Sequence, residues 1–414
     1  MNILMTPVRQ HVADEQVGDI GAEVRRGLRS LPLSEHVRPG MRVALAVGSR
    51  GISCLQVVVH SIIEEIAQLD GQPFFVPAMG SHGGGTAEMQ RTIVEETGLQ
   101  PEFMDVPVYS SMETVQIGAT PDGMPVFLDA HAARADAIIA INRIKPHTSF
   151  RATWESGLMK ILAIGLGKAR GAEEIHRHGV VQAMPAAARV ILAKAPVIAG
   201  VGIVENGRHQ PAKIAVLPAE RIEAEEPVLL EMARQLIPKV PLEPLDLLLI
   251  QEMGKEISGL GMDTNVIGMW RRLGGPIDPL FKVVAVLSLT ARSHGNASGV
   301  GLVDLIPQRL RDAIDLDATY TNCLTSGNFP AARIPLTLPT DRDVVRAALA
   351  SVDDEEARMV IIRNTLNLDL LWVSQPLLKE VKALPTLQIA GEARPLTFDD
   401  EGVLRLWDAN ARAR

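Results

Sequence analysis

The chain has 414 residues, 47% hydrophobic and 22% charged, with a formal net charge of -8, which fits a globular protein of two domains. The acidic balance argues against nucleic acid as a main partner, because phosphate binding needs a basic face. The two cysteines match no metal or redox spacing, and neither a signal peptide nor a membrane-length apolar run is present, so we predict a cytoplasmic protein without a membrane partner.

The first part of the chain shows the alternation of strand and helix that is typical of a parallel sheet. Residues 1–40 are predicted to be irregular apart from one helix near Ala22–Leu28. Thr86 is predicted to cap a helix that ends near Glu96. The predicted strands lie within 41–51, 73–80 and 135–147, and a further amphipathic helix lies within 54–71.

The second part shows the same alternation of strands and helices after a proline-rich segment, 237–246, which we take as the domain boundary. Before it, helices are predicted over 180–195 and 219–236, and a hairpin over 195–207 and 213–217. After it, new strand-and-loop units open at residues 246 and 281. The predicted fold class is therefore α/β: two α/β domains, 1–240 and 241–414, with mainly parallel sheets and the active site in the cleft between them.

Three predicted strands end in polar residues, and these ends should share one edge of the sheet. Arg50 follows the first strand, His82 lies in the glycine-rich turn after the second, and His147 follows the third. Ligands of open α/β sheets bind beyond the carboxyl ends of the strands. The turn G-S-H-G-G-G is neither a dinucleotide fingerprint nor a P-loop, so NAD or ATP binding is poorly supported.

A dense cluster of cations and histidines occupies residues 142–179. Lys160 lies in the apolar run ESGLMKILAIGLG and is predicted on the core face of a helix. A lysine in that setting either extends along apolar surface to reach water or acts as a desolvated nucleophile or covalent tether, and both possibilities stay open. His176 could bind a metal only with further ligands from elsewhere, because no zinc-type cluster is present.

Two histidines on separate strand ends, with cations nearby, suit proton transfer at two faces of a small carboxylate. Such symmetry is what a racemase or epimerase requires, although the residues alone leave other reactions open. No G-x-S-x-G nucleophile elbow is present.

These motifs resemble the lactate racemases that use a nickel-pincer nucleotide, and the wider group of 2-hydroxyacid racemases and epimerases. In that family a lysine is linked to the cofactor and a histidine sixteen residues later binds nickel, a spacing matched by Lys160 and His176. Two further histidines, one in a G-x-H turn and one before the lysine, are the acid–base pair and correspond to His82 and His147. The family's substrate-binding arginine corresponds to Arg50.

The resemblance implies a racemase or epimerase of a 2-hydroxyacid that works by proton-coupled hydride transfer to and from the tethered nickel-pincer nucleotide, a pyridinium dithiocarboxylate mononucleotide carrying nickel. It also implies maturation enzymes as partners, so protein made in a host without them should lack the cofactor. Lys255 is the candidate second-domain lysine for the substrate carboxylate. Further candidates are Arg143 and His294 for substrate, and Ser49, Ser81, Gly83 and Gly84 for cofactor.

The chain departs from the family pattern at two places. It lacks the glycine-rich stretch with Pro-Gly after the tethering lysine, and Val47 replaces an aspartate expected three residues before the arginine. Cations at Arg143, Lys145 and Arg151 indicate either a solvated rim or a hydroxyacid that is more anionic or larger than lactate. Two alternatives remain: a cofactor-independent sugar-acid dehydratase or isomerase, and a non-catalytic protein that binds small carboxylates.

Overall fold

The computed structural model describes residues 2–49, 51–325 and 327–405. The chain forms two compact units, one of Ala13–Ile237 and one that joins Pro238–Arg414 to Met1–Val12. The predicted boundary placed all of residues 1–240 in the first domain, whereas the N-terminal residues belong to the second unit.

Strands and helices are numbered along the chain. The strands are β1 (Leu4–Gln10), β2 (Arg42–Val47), β3 (Gln72–Pro77), β4 (Thr114–Ala119), β5 (Pro125–Asp129), β6 (Ala137–Arg143), β7 (Val197–Glu205), β8 (Pro211–Pro218), β9 (Leu245–Met253), β10 (Phe281–Leu289), β11 (Leu305–Pro307), β12 (Leu336–Leu338), β13 (Met359–Asn364), β14 (Asn367–Ser374), β15 (Leu387–Ile389) and β16 (Arg394–Pro395). The helices are α1 (Ile20–Arg29), α2 (Leu33–His36), α3 (Leu55–Ala67), α4 (Ala87–Glu96), α5 (Pro101–Met104), α6 (Leu158–Lys160), α7 (Lys168–Arg177), α8 (Val180–Lys194), α9 (Ala219–Leu236), α10 (Thr264–Ile267), α11 (Trp270–Leu273), α12 (Gln308–Asp312), α13 (Leu316–Thr325), α14 (Asp341–Ala348) and α15 (Leu378–Ala383).

The first unit is built on a sheet with the strand order β3-β2-β6-β7-β8. The first four strands are parallel, and β8 is antiparallel to β7. Strand β2, with the sequence RVALAV, is apolar after its first residue because helices cover both faces of the sheet. Val43, Leu45 and Val47 pack in the same core as α3, whereas Ala44 and Ala46 pack in the core that contains α8.

Several predicted elements of this unit are confirmed. The β7–β8 hairpin is present, and α9 has the predicted bounds Ala219–Leu236. Helix α4 starts after Thr86, whose side-chain oxygen accepts a hydrogen bond from the Met89 N–H at 3.3 Å. The β4–β5 hairpin was not predicted, because the exposed and half-buried residues of β4 follow neither the strand nor the helix period.

The prediction that the first residues are irregular is wrong, because residues 4–10 form strand β1. Met5 and Val8 are fully buried, and β1 pairs antiparallel with β14, β15 and β16 at the other end of the chain. Pro7 lies inside the strand, and proline argues against a strand when only local sequence is considered. The partners of β1 lie too far along the chain for local periodicity to reveal them.

The second unit contains a mixed sheet with the order β12-β11-β10-β9-β13-β14-β1-β15, in which β16 also pairs with β1. The strands from β12 to β13 run parallel, and β14, β1 and β15 continue the sheet antiparallel. Both units are thus α/β structures with parallel strands at their centres, which confirms the predicted fold class. The position of the site in a cleft between two domains stays a prediction. Among the described residues, every helix is too short or too polar to span a bilayer.

Candidate functional site

The candidate site of the first unit lies at the carboxyl edge of its parallel strands. Strands β3 and β6 flank β2, and neighbouring strands lie about 4.8 Å apart, so the ends of β3 and β6 are roughly 10 Å from each other. Gly48 and Ser49 follow β2 between these two strand ends. Arg50, the predicted substrate-binding residue, lies outside the described residues.

His82 is held beside the end of β2 by a side-chain hydrogen bond. Its Nδ1 lies 2.5 Å from the Ser49 hydroxyl oxygen, which joins the loops that follow β3 and β2. The loop approaches the Lys160 segment closely, because the Gly80 N–H donates to the Gly165 carbonyl at 3.2 Å. Gly80 has φ +60°, a conformation that favours glycine, and a Cβ there would press on Ile164.

The loop that carries His147 is organised by the fully buried carboxylate of Glu155. Glu155 accepts hydrogen bonds from the His147 N–H at 2.6 Å and the Ala152 N–H at 3.1 Å. Arg234 of α9 forms an ion pair with the same carboxylate at 2.8 Å. Arg151 donates to the His147 carbonyl at 2.9 Å. These contacts satisfy a buried charge and fix the backbone of His147.

The half-buried imidazole of His147 is fixed on two sides. It stacks on Phe150 with ring centroids 4.2 Å apart, and its Nδ1 accepts a hydrogen bond from the Ser149 N–H at 3.1 Å. In the neutral ring the proton therefore resides on Nε2, which acts as a donor. His147 must release the Ser149 contact before it can accept a second proton, at Nδ1.

Lys160 ends α6, and the chain continues directly as a π-helical turn over Ile161–Gly165. Such turns are frequent at functional sites. Leu158, Met159 and Leu162 are buried, so this helix packs in the core, and Lys160 itself is half-buried.

The charge of Lys160 lowers the pKa values of both His147 and His176. Burial lowers the pKa of His147 well below its usual range, and the cations Lys160, Lys145 and Arg151, together with His176, lower it further. His176 on α7 is exposed, and partial desolvation lowers its pKa, with the charge of Lys160 adding to that shift. Both imidazoles are therefore neutral at neutral pH, and the neutral form is the one that binds metals.

The start of the Lys160 helix rests on a buried carboxyl group from α9. Glu226 is 1% exposed, and its Oε2 accepts a hydrogen bond from the Met159 N–H at 2.8 Å. Among the described residues, Oε1 has no hydrogen-bond partner. A Cβ at Gly157 would collide with Oε1, so a glycine is required there. Burial raises the pKa of Glu226 to about 7, although the hydrogen bonds from Met159 and Leu158 oppose the shift.

We expect Glu226→Gln to remove a pH-dependent part of the free energy of unfolding. The folded-state pKa lies above the unfolded value of about 4.3, so this group's contribution is complete below that pH and is lost as pH rises through about 7. The loss should amount to roughly 4 kcal/mol. Urea unfolding of wild type and E226Q from pH 4.5 to 8 measures it as the difference between the two proteins. A difference that is constant across this range would contradict the raised pKa.

The other predicted residues of the first unit have distinct surroundings. Arg143 forms an ion pair with the Glu205 carboxylate at 2.5 Å, so part of its guanidinium is already engaged. Ser81 is exposed next to His82. Gly83 and Gly84 have φ +66° and +62°, which explains the need for glycine in this turn. The predicted contacts of these residues with substrate and cofactor stay predictions.

Lys255 and His294 belong to the second unit, where their loops lie side by side. The Lys255 N–H donates to the Ser293 hydroxyl at 3.0 Å, next to the exposed His294. The Lys255 amine donates to the Gly259 carbonyl at 2.6 Å and to Asn322 Oδ1 at 2.7 Å. The predicted substrate contacts of Lys255 and His294 stay predictions.

Glu155 and Glu226 organise the site but were not predicted from the sequence. Glu155 offered one signal, since it opens the apolar run that contains Lys160. Glu226 offered none, because it lies in a helix with many other acidic residues, all of which look solvent-facing in the sequence.

The donor set around Lys160 is small. It offers a primary amine for a link and the neutral His176 imidazole as one metal ligand. No group of three or more His, Cys, Asp or Glu side chains suited to a metal ion occurs within residues 2–49, 51–325 and 327–405.

Comparisons with known proteins agree with the motifs. Residues 3–188 match the family model of the lactate racemase N-terminal domain. The lactate racemase apoprotein from Thermoanaerobacterium thermosaccharolyticum has a similar fold, with a TM-score of 0.52 and 12% identity, over 88% of this chain and 99% of that one. A Thermotoga maritima protein from structural genomics matches with a TM-score of 0.45 and 16% identity, over 65% of this chain and 71% of that one. No curated protein matches. Residues 3–188 are therefore similar to the lactate racemase N-terminal domain, which confirms the resemblance carried by the motifs.

Proposed function

We propose that this protein is a racemase or epimerase of a 2-hydroxyacid that uses a nickel-pincer nucleotide tethered to Lys160. The observation that supports the proposal is that His82 and His147 follow β3 and β6, the two strands that flank β2, while the charge of Lys160 lowers the pKa values of His147 and His176. A tether, a metal ligand and two acid–base groups are the parts that this reaction needs. All four residues lie within the stretch that the family model matches.

His82 and His147 are the two groups proposed to handle the hydroxyl proton. If the Nδ1–H of His82 donates to Ser49, its Nε2 carries the lone pair that can accept a proton. The Nε2–H of His147 would donate a hydrogen bond to a substrate oxygen, and the ring would accept the hydroxyl proton at Nδ1 once Ser149 releases that nitrogen. The low pKa of His147 keeps its ring neutral at physiological pH.

Lys160 is proposed to hold the cofactor, and His176 to complete the coordination of its metal. The cofactor supplies a hydride acceptor when it is bound. The chain supplies orientation, since Glu155 and Glu226 fix the backbone on either side of Gly157. Arg50, Arg143, Lys255 and His294 remain the proposed contacts of the substrate, and Ser49, Ser81, Gly83 and Gly84 those of the cofactor.

The proposed nature of the substrate follows from the charge around His147. Lys145 and Arg151 both depress the pKa of His147, so their positive charges act on the place where the substrate would lie. We propose a hydroxyacid with a second anionic or polar group, in preference to lactate. We also propose that the protein is cytoplasmic and that the cofactor-maturation enzymes are its partners.

A stereochemical assay tests the function. Protein produced with the cofactor-maturation enzymes should interconvert the two configurations at C2 of at least one acid in a panel of 2-hydroxyacids, and protein produced without them should not. Consumption or isomerisation of an acid in the panel by both preparations would favour the cofactor-independent dehydratase or isomerase. Thermal stabilisation by a hydroxyacid without conversion in either preparation would favour a carboxylate-binding protein.

A further inference from the structure

Lys168 is fully buried, and its amine makes three contacts within the first unit. Nζ donates to the Pro77 carbonyl at 2.5 Å and to Gln90 Oε1 at 3.0 Å, and it forms an ion pair with Asp129 at 3.2 Å. The Pro77 carbonyl and Gln90 accept hydrogen bonds from the ammonium, and the Asp129 carboxylate balances its charge. A lysine is almost never buried to this extent unless it is paired.

The backbone of Lys168 is unusual as well. Its φ is +54°, in the left-handed region that residues with a side chain rarely adopt, and it stands at the first position of α7. A buried charge and a left-handed backbone both lower the stability of the fold. Such features persist only where the surrounding structure enforces them, and they are frequent at functional sites. Burial lowers the pKa of Lys168, whereas Asp129 opposes that change.

The contacts of Gln90 show which segment this arrangement holds. Gln90 is fully buried, and its Nε2 donates to the Gly80 carbonyl at 2.8 Å and to the His82 carbonyl at 3.0 Å. Because Lys168 can only donate, Gln90 must present Oε1 to it, and Nε2 then faces the two carbonyls. Lys168 and Gln90 together bind three carbonyl groups of the segment from Pro77 to His82.

If the ion pair of Lys168 with Asp129 served only to stabilise the fold, charged residues would not be needed at these positions. Apolar side chains of similar size often replace buried ion pairs without loss of stability. Here Lys168 acts, directly and through Gln90, on the one segment that carries His82 from β3 towards Ser49. The same lysine begins α7, the helix that carries His176.

We infer that Lys168 is a positioning residue for His82: it sets the orientation of the Gln90 amide, and the two side chains together hold the segment Pro77–His82 so that the His82 imidazole meets Ser49. The expected effect of Lys168 on turnover rests on the proposed function. Its effect on the position of His82 does not, because the contacts involved are made by side chains and backbone of this chain alone.

The test uses the full chain, made without cofactor, in which the ring nitrogens of His82 are observed by ¹⁵N NMR. Lys168→Met and Gln90→Leu should each change the His82 ring shifts, because the bond between Nδ1 and Ser49 is weakened. Ile214→Ala is the control, since Ile214 is buried on β8 at the opposite edge of the sheet from β3. It should lower the melting temperature and leave the His82 shifts unchanged.

Unaltered His82 shifts in both K168M and Q90L would overturn the inference, as would an equal change in I214A. Q90L keeps the test decisive if K168M does not fold. In cofactor-loaded protein that turns over a hydroxyacid, K168M should lower kcat at least tenfold and change KM less than twofold. An equal rise in KM would contradict a role in positioning His82. Because the NMR measurement needs neither cofactor nor substrate, failure of the proposed function would leave its result intact.

Discussion

Replacing Lys160 with alanine is expected to abolish covalent loading of the cofactor. Lys160 is the half-buried amine whose charge lowers the pKa of both His147 and His176, and alanine offers no nucleophile for the link. Intact-protein mass spectrometry after production with the maturation enzymes should show an adduct on wild type and none on K160A.

Lys145→Ala is the matched control for this loss. Lys145 is also half-buried and also lowers the pKa of His147, but it follows β6 and lies outside the Lys160 helix. K145A should therefore keep the adduct. A persistent adduct on K160A would refute the tether, and loss of the adduct in both variants would show that the reaction depends on local charge and not on the Lys160 amine.

Replacing His82 or His147 with glutamine should lower turnover by about 10²- to 10⁴-fold, the usual contribution of a positioned acid or base. Glutamine keeps a polar side chain of similar length but cannot exchange a proton at neutral pH. The measurement is kcat for interconversion of the best substrate in the 2-hydroxyacid panel, with circular dichroism used to confirm the fold. His60→Gln is the control, because His60 lies on α3, where it pairs with Glu64.

If kcat falls less than about tenfold in both H82Q and H147Q, well below the usual contribution of an acid–base group, the proposed acid–base roles are wrong. The pH profile adds a second check. Because the pKa of His147 lies well below its usual range, protonation of His147 should not reduce activity near pH 6.5, the pH at which an ordinary histidine would titrate.

The scaffold of the site could be predicted from the sequence because that part depends on local patterns. Continuous apolar runs mark β2 and β6 as buried parallel strands, and the glycines around His82 mark the turn after β3. Thr86 marks the start of the following helix through its capping side chain. Strand ends of a parallel sheet share an edge, so their order along the chain is enough to group the histidines that follow them.

The supports of the site could not be predicted in this way, because their partners are distant in the chain. Glu226 contacts Met159 across 67 residues, and Lys168 contacts Pro77 across 91. In the sequence each is one charged residue among many that face solvent. The ion pair of Arg143 with Glu205 was hidden for the same reason, since it joins the ends of neighbouring strands 62 residues apart.

Convergence of the Lys160 amine with the imidazoles of His147 and His176 is the central claim, and titration of these two histidines tests it most directly. NMR of the cofactor-free protein can give the pKa of each ring in wild type and in K160A. Removal of the positive charge should raise both pKa values, with His82→Gln as a background in which the remaining signals are easier to assign. If neither pKa moves in K160A, the three side chains do not share a site and the proposed function loses its foundation.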